Sequence, residues 1–295
     1  MVIYKKSFSE YIFDVFNVLF MIFMMIITLY PFLFVVFASL SDPQEFLSVG
    51  NKILLKPVGF SLKSYRAVIK NPNIASGYLN TLFVVGVGTT CNMIATSMGA
   101  YVLSRKNLFW KKYLMFMCVF TMYIGGGLIP NYLLVKGLGL LNSRWALILP
   151  GLISTSNMIV MRTAFMQVPD SLEESARIDG ANNIVILFKV IIPLCTPTMA
   201  VIALFYAVGH WNSWFGAMIY LQDTKKHPLQ LVLRDILINS QTNEMTMDDA
   251  FTERYAIAQT VKYATIVVAT VPILLLYPYL QKYFVKGIMI GAIKG

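Results

Sequence analysis

Stretches free of Asp, Glu, Lys and Arg partition this 295-residue chain into long apolar runs and short charged connections. An ionised side chain at the bilayer centre costs about 3 kcal/mol even on the lenient insertion scale, so charge-free runs mark where a helix can cross lipid. Six qualify: Val15–Ser41, Asn71–Ser104, Tyr113–Val135, Trp145–Met161, Val190–Gln222 and Tyr263–Gln281. Each is near or above the length that covers about 30 Å of hydrocarbon at about 1.5 Å per residue. The fourth extends through Thr163–Val168 if Arg162 snorkels to the interface. No period-two alternation runs through them, and lipid offers an isolated strand no hydrogen-bond partners, so the pattern predicts helices. The expected class is an all-α integral membrane protein with six transmembrane helices.

Composition agrees: 57% of residues are hydrophobic, against about 45–50% in soluble domains. The first run follows Lys5 and Lys6, as a signal peptide would. It exceeds the usual core of about 7–15 residues and lacks a small-x-small cleavage site, so a retained anchor is expected. Cys91, Cys118 and Cys195 all fall inside runs and are expected as small buried residues, with no disulfide or metal framework. Six spans put both termini on one side. The 24 Lys and Arg divide evenly between the two sides, but the densest short loop, "SRKNLFWKK" at 104–112, lies on the side of the termini. That density marks a cytoplasmic turn and predicts both termini inside. The net charge of +10 fits anionic lipid; the spread of basic residues among loops argues against nucleic acid.

One acidic patch interrupts this scheme. "PDSLEESARIDGA", residues 169–181, lies on the cytoplasmic side between the fourth and fifth runs. Ser171 with Glu174, or Asp170 with Glu173, fits a capping box, and Gly180 suits the left-handed residue that ends a helix. A second helical stretch, Asn182–Ile192, then reaches Pro193, which is expected to open the fifth span. The segment is longer than a turn between antiparallel helices needs, and it mixes small side chains with charges. The pattern predicts a docking surface on the membrane face.

Glu174-Ser175-Ala176, three residues, Gly180, nine residues, then Val190 and Ile192-Pro193 resemble the EAA loop of permease subunits in ATP-binding-cassette importers. "ARIDGA", "WNSWFGAMIYL" at 211–221 and the ending "YFVKGIMIGAIKG" are similar to the carbohydrate-uptake branch, and the layout to the smaller permease of the maltose importer. The resemblance implies the type I importer permease fold, in a bacterial cell membrane, with a cytoplasmic coupling helix between spans four and five. It implies an N-terminal segment with the first helix and first external loop at 1–70, a permease core at 71–285 containing the loop 169–193, and a cytoplasmic tail at 286–295. The implied partners are a second related permease, two ATPase subunits and an external substrate-binding protein. The implied cargo is a carbohydrate, in the first instance an oligosaccharide. ATP and Mg belong to the ATPase, and this chain has no phosphate loop and binds no cofactor. Carried over residue by residue, ATPase coupling falls to Glu173, Glu174, Ser175, Ala176, Arg177, Asp179, Gly180, Ala181 and Pro193. Glu174 and Asp179 would face basic groups of the ATPase, and Gly180 would set the angle between two short helices.

The substrate path is expected among Trp211, Asn212, Trp214, Gly126 and Asn131. Indoles stack on sugar rings and Asn212 offers both a donor and an acceptor, although Trp211 and Trp214 equally fit interfacial anchors. Gly125–Gly127 with Pro130 would unwind the third span or pack as a kink, and Gly88, Ala95 and Gly99 form a small-residue ridge for helix packing. His210 is expected as a satisfied interior histidine. The connection beyond 227 begins with an amphipathic stretch, Pro228–Ile238, and continues into an acidic segment. The resemblance implies that this connection reaches toward the binding protein; a solvated loop is the alternative. No H-E-x-x-H, G-x-S-x-G or intramembrane carboxylate pair supports an enzyme, and no catalytic or metal residue is expected. An ion-coupled secondary transporter or channel is the alternative, although its usual ionisable residue within a span is missing.

Overall fold

A computed structural model describes residues 7–50, 53–242 and 256–275. Its helices are α1 (Phe8–Ser39), α2 (Pro43–Val49), α3 (Lys63–Lys70), α4 (Pro72–Ser104), α5 (Lys111–Tyr123), α6 (Leu128–Gly137), α7 (Thr155–Phe165), α8 (Asp170–Ile178), α9 (Asn183–Leu194), α10 (Thr196–Trp211), α11 (Phe215–Tyr220), α12 (Leu229–Thr242) and α13 (Ala256–Leu275). Among the described residues the only extended pairing is an isolated bridge between Ser41 and Phe60.

Three of the six apolar runs lie on single continuous helices, α1, α4 and α13. The other three are broken. α5 and α6 meet at 115°, two 3₁₀ turns at Arg144–Leu147 and Leu149–Gly151 meet α7 at 53°, and α9 meets α10 at 93°. The first break falls on the triple glycine, where Gly127 takes φ of +84°, a conformation a side chain resists. The third falls two residues later than the sequence suggested. Pro193 does not open the fifth span: it sits near the end of α9, whose turns widen into a π-helix over Leu187–Ile191. A proline inside a helix crowds the carbonyl one turn back, and a widened turn accommodates it. The chain corners at Cys195, and Pro197 lies in the first turn of α10. The helix that carries the sixth run is already formed at Ala256, ahead of Tyr263, and the run's far end lies outside the described residues, as do the segment 243–255 and the tail 286–295.

The described residues divide into two compact units, one drawn from 7–71 and 235–271, the other from 72–234 and 272–275. In the first, the end of α1 packs on α2, α3 and α13. Tyr263 meets Phe34 and Phe46 edge-on at 5.6 and 5.7 Å, and buried Ser64 donates to Thr260 at 2.7 Å. The apolar length of α1 is left uncovered by the described residues, as a lipid-facing helix should be.

The second unit is built around α4, which lies against α7 and α10. Tyr101, Met161, Phe165, Ile186, Ile191 and Ile202 form its apolar core. The small-residue ridge is used as predicted: Gly88 backs onto His210 and Gly99 onto Met158. Polar side chains of α4 point the same way. Asn92 donates to the carbonyls of Gly151 and Leu152 at 2.9 and 2.8 Å, while the Tyr206 hydroxyl accepts from the Ser154 amide at 2.9 Å and bonds Thr96 at 2.7 Å. Those backbone groups are the ones released where the fourth run breaks before α7, and lipid would leave them unpaired. Because the amide of Asn92 is spent on carbonyls, its Oδ1 faces His210 Nε2 at 2.7 Å and fixes that nitrogen as the donor. His210 is thus the satisfied interior histidine expected.

A Cβ added to Gly88 would sit 2.7 Å from His210 Nε2. Gly88→Ala should therefore lower the stability of the purified protein by about 1–3 kcal/mol, read as thermal unfolding in detergent. Gly86→Ala, with nothing within 4 Å, should be neutral or stabilising by up to about 1 kcal/mol.

The candidate coupling site

The acidic patch forms α8, but not with the predicted start. Pro169 occupies the N-cap and no side chain caps the helix, so neither the Ser171–Glu174 nor the Asp170–Glu173 capping box forms. The end is as predicted. Gly180 takes φ of +82°, its amide donates to Arg177 O at 3.0 Å, and the Ala181 amide reaches Ala176 O at 2.9 Å. These two bonds are the Schellman closure. Asn182 then caps α9 through the Val185 amide at 2.9 Å. Ala176 and Ala181 press against the core, while Leu172, Glu174, Ser175, Ile178, Asp179 and Gly180 face outward.

The two adjacent glutamates have opposite surroundings. Glu174 is exposed, whereas Glu173 is 7% exposed and turned into the chain. Arg105 forms an ion pair with one carboxylate oxygen. Arg177 and the Tyr101 hydroxyl bond the other at 3.0 and 3.1 Å. The Arg105 guanidinium also lies 4.7 Å over the Tyr101 ring, and its Nε donates to Ser104 at 3.0 Å. A carboxylate out of water is tolerated only when its lone pairs are met in this way. Around it, Lys106 bridges to Asp170 at 2.5 Å, Arg177 to Asn183 at 2.8 Å, and Arg162 Nε to Leu103 O at 2.9 Å. Arg162 therefore joins α7 to the last turn of α4. The Lys106 ammonium holds the exposed Asp170 carboxyl below its ordinary range by hydrogen bond and charge. Arg105 and Tyr101 were missed from the sequence as site residues; the signal was the dense basic loop lying on the same side as the acidic patch.

Path candidates occupy two neighbouring regions. Gly126 and Asn131 are exposed at the α5–α6 break, and Tyr132 beside them stacks on Tyr220 of α11 at 6.4 Å. Trp211 is buried rather than presented to a ligand: it is 6% exposed, edge-on to Tyr78 at 6.5 Å, with its Nε1 lacking a hydrogen-bond partner among the described residues. Asn212 is exposed at the end of α10, and Trp214 carries the Arg234 guanidinium 5.0 Å above its ring. That arrangement differs from an open indole waiting for a sugar. One cavity of about 300 Å³ lies at the α9–α10 corner between Val168, Leu172, Leu194 and Cys195. Another, of about 630 Å³, lies between α5 and α7.

The sequence model for the inner membrane component of binding-protein-dependent transport systems matches residues 3–290. The chain belongs to this family. It is 43% identical over 284 residues to the polygalacturonan/rhamnogalacturonan transport system permease protein YtcP of Bacillus subtilis strain 168, covering 96% of this chain and 99% of that one. Protein LplC of the same organism is 40% identical over 287 residues, covering 96% and 95%. The crystal structure of a bacterial ABC transporter involved in import of the acidic polysaccharide alginate superposes with a TM-score of 0.86 at 31% identity, covering 95% of this chain and 99% of that one. The protein is thus an all-helical membrane permease of the type I importer fold: a transport subunit, not an enzyme. The ion-coupled alternative finds no support.

Gly180→Val should open the α8–α9 corner at a strain of about 1–2 kcal/mol, seen as faster hydrogen exchange across residues 176–186. Gly180→Asn, which accepts positive φ, should stay near wild type.

Proposed function

We propose that this chain forms half of the translocation path of an ATP-driven importer and receives its drive through α8. The observation that carries the reading is the division of α8: Glu173 is held inward while Glu174, Ser175, Asp179 and Gly180 stand free at the membrane face. An outward acidic and small-residue surface on an anchored helix is suited to a basic groove on a separate ATPase. Ala176, Arg177 and Ala181 set the shape of that surface, and Pro193 shapes the turn behind it. The family implies a second permease, an ATPase pair and a binding protein as partners. Residues 71–285 act as the permease core around the loop 169–193, and both termini and α8 lie in the cytoplasm of a bacterial cell.

The cargo is a carbohydrate oligosaccharide, and the names borne by YtcP and by the alginate importer favour an acidic one. Gly126, Asn131, Asn212 and Trp214 border the path; Trp211 supports it from within.

Tagged wild-type chain drawn gently from native membranes should bring down an ATPase and a second permease. Glu174→Lys reverses the outward charge and should cut ATPase recovery and uptake by roughly tenfold or more, the scale of reversing a charge at an interface. Undiminished recovery would remove α8 from the coupling role. In proteoliposomes holding the whole importer, ATP-dependent uptake of trigalacturonate should exceed that of maltotriose; the reverse order would rule out the acidic cargo.

A further inference from the structure

We propose that Glu173 is a positioning residue inside this chain: by holding Arg105 it makes α8 and α4 a single lever, which carries motion at the coupling helix to the strap 223–229 at the opposite end of α4. The proposal rests on α8 being the point where drive enters.

The attachment of α8 to α4 is stiff. Glu173 receives Arg105, Arg177 and Tyr101, and Lys106 on Asp170 adds a second tie to the same loop. Pulling α8 away would strand a buried carboxylate and a guanidinium that is partly shielded by Tyr101. α7 travels with them, through Arg162 on Leu103 O, the Ser97 hydroxyl on Met161 Sδ at 3.4 Å, and Met158 against Gly99. So does α9, whose Ile186 and Ile191 pack among the same residues.

The other route out of α8 is compliant. The chain reaches α10 only after the Gly180 turn, the π-helical stretch Leu187–Ile191 and the 93° corner at Cys195. That corner borders the cavity of about 300 Å³, which leaves room for its angle to change. A push on α8 is therefore delivered through side chains into α4 rather than along the backbone into α10.

α4 has no break in its 33 residues. From Tyr101 to Asn80 it spans about 32 Å at about 1.5 Å per residue, so its grips lie at opposite ends of the apolar layer. At the far end Asn80 Nδ2 donates to the carbonyls of Lys225 and His227 at 2.7 and 3.0 Å, and the Leu229 amide donates to Thr81 at 2.9 Å. A Cβ on Gly77 would lie 3.2 Å from Leu229 Cα, so helix and strap are in close contact. Asn142 closes the strap from the other side, accepting from the Asp223 amide at 3.1 Å and from Lys226 at 2.7 Å. One helix thus holds the coupling surface with its first grip and the opposite rim with its second.

The test uses the assembled importer in lipid nanodiscs, with Cys91, Cys118 and Cys195 replaced by alanine and a reporter thiol at the exposed strap position, Lys225→Cys. Maleimide labelling of the strap should change by about fivefold or more on adding ATP and vanadate, the lower range of a coupling between distant sites. Glu173→Gln and Arg105→Gln should each abolish that change while the ATPase still co-purifies, and the double variant should lose no more than either single one. Where Glu173→Gln does not assemble, Glu173→Asp keeps the charge on a shorter stem and should show a reduced response. A response preserved in either single variant overturns the lever, as do partial losses in the two single variants that add in the double variant. Loss of the ATPase from Glu173→Gln overturns it by making Glu173 a docking residue. A wild-type strap indifferent to ATP overturns the lever as well, whereas the coupling role of α8 stands or falls separately, on ATPase recovery with Glu174→Lys.

Discussion

Wherever a helix breaks inside lipid, it frees peptide groups that no solvent will satisfy, and side chains must do so. The second unit depends on how Asn92 and Tyr206 meet that demand. Asn92 closes two carbonyls just before α7, Tyr206 takes the amide at its start, and Thr96 and His210 complete the two sets. Between helices in a membrane, apolar contact discriminates weakly, since lipid tails are as apolar as leucine; polar contacts and close approaches at small residues select the arrangement. Here both coincide on one face of α4, with Gly88 and Gly99 bringing His210 and Met158 near enough for the polar partners to reach.

The same helix ends at the only charged side chain that is buried among the described residues. Glu173 and Glu174 are consecutive on α8, and the roughly 100° between neighbouring helical positions sends one inward and the other outward. An inward carboxylate is tolerable because two guanidiniums and a phenol converge on it. The outward one keeps its charge in water, available to another chain. A loop otherwise attached by one glycine corner and a bent helix thereby gains a fixed orientation relative to the bundle.

The broken spans follow from backbone chemistry at identifiable residues. Gly127 permits the sharp α5–α6 bend, and the π-helical turns before Pro193 with the corner at Cys195 turn α9 across α10. Unbroken helices carry the long-range connection and broken ones supply corners, so stiffness and compliance are distributed by residue type along the chain.

What the sequence determined by itself was whatever depends on one segment at a time. The charge-free runs fall on the three long apolar helices and the three bent helix pairs because the penalty for a charge in lipid is local, and Gly180 declared its positive φ because a turn needs no distant partner. The small-residue ridge of α4 was legible for the same reason. The tertiary structure decided everything that needs two segments. Glu173 satisfied the spacing for a cap as well as for a docking contact, and only the approach of Arg105 and Tyr101 turned it inward. Trp211 and Trp214 had the composition of a sugar platform, yet one is buried on Tyr78 and the other already holds Arg234. Pro193 looked like the start of a span because its cost in a helix interior is usually prohibitive; a π-helical turn absorbed it, and the corner moved to Cys195. Partnership between residues far apart in sequence leaves no mark on either segment, so it becomes visible only once the chain has folded.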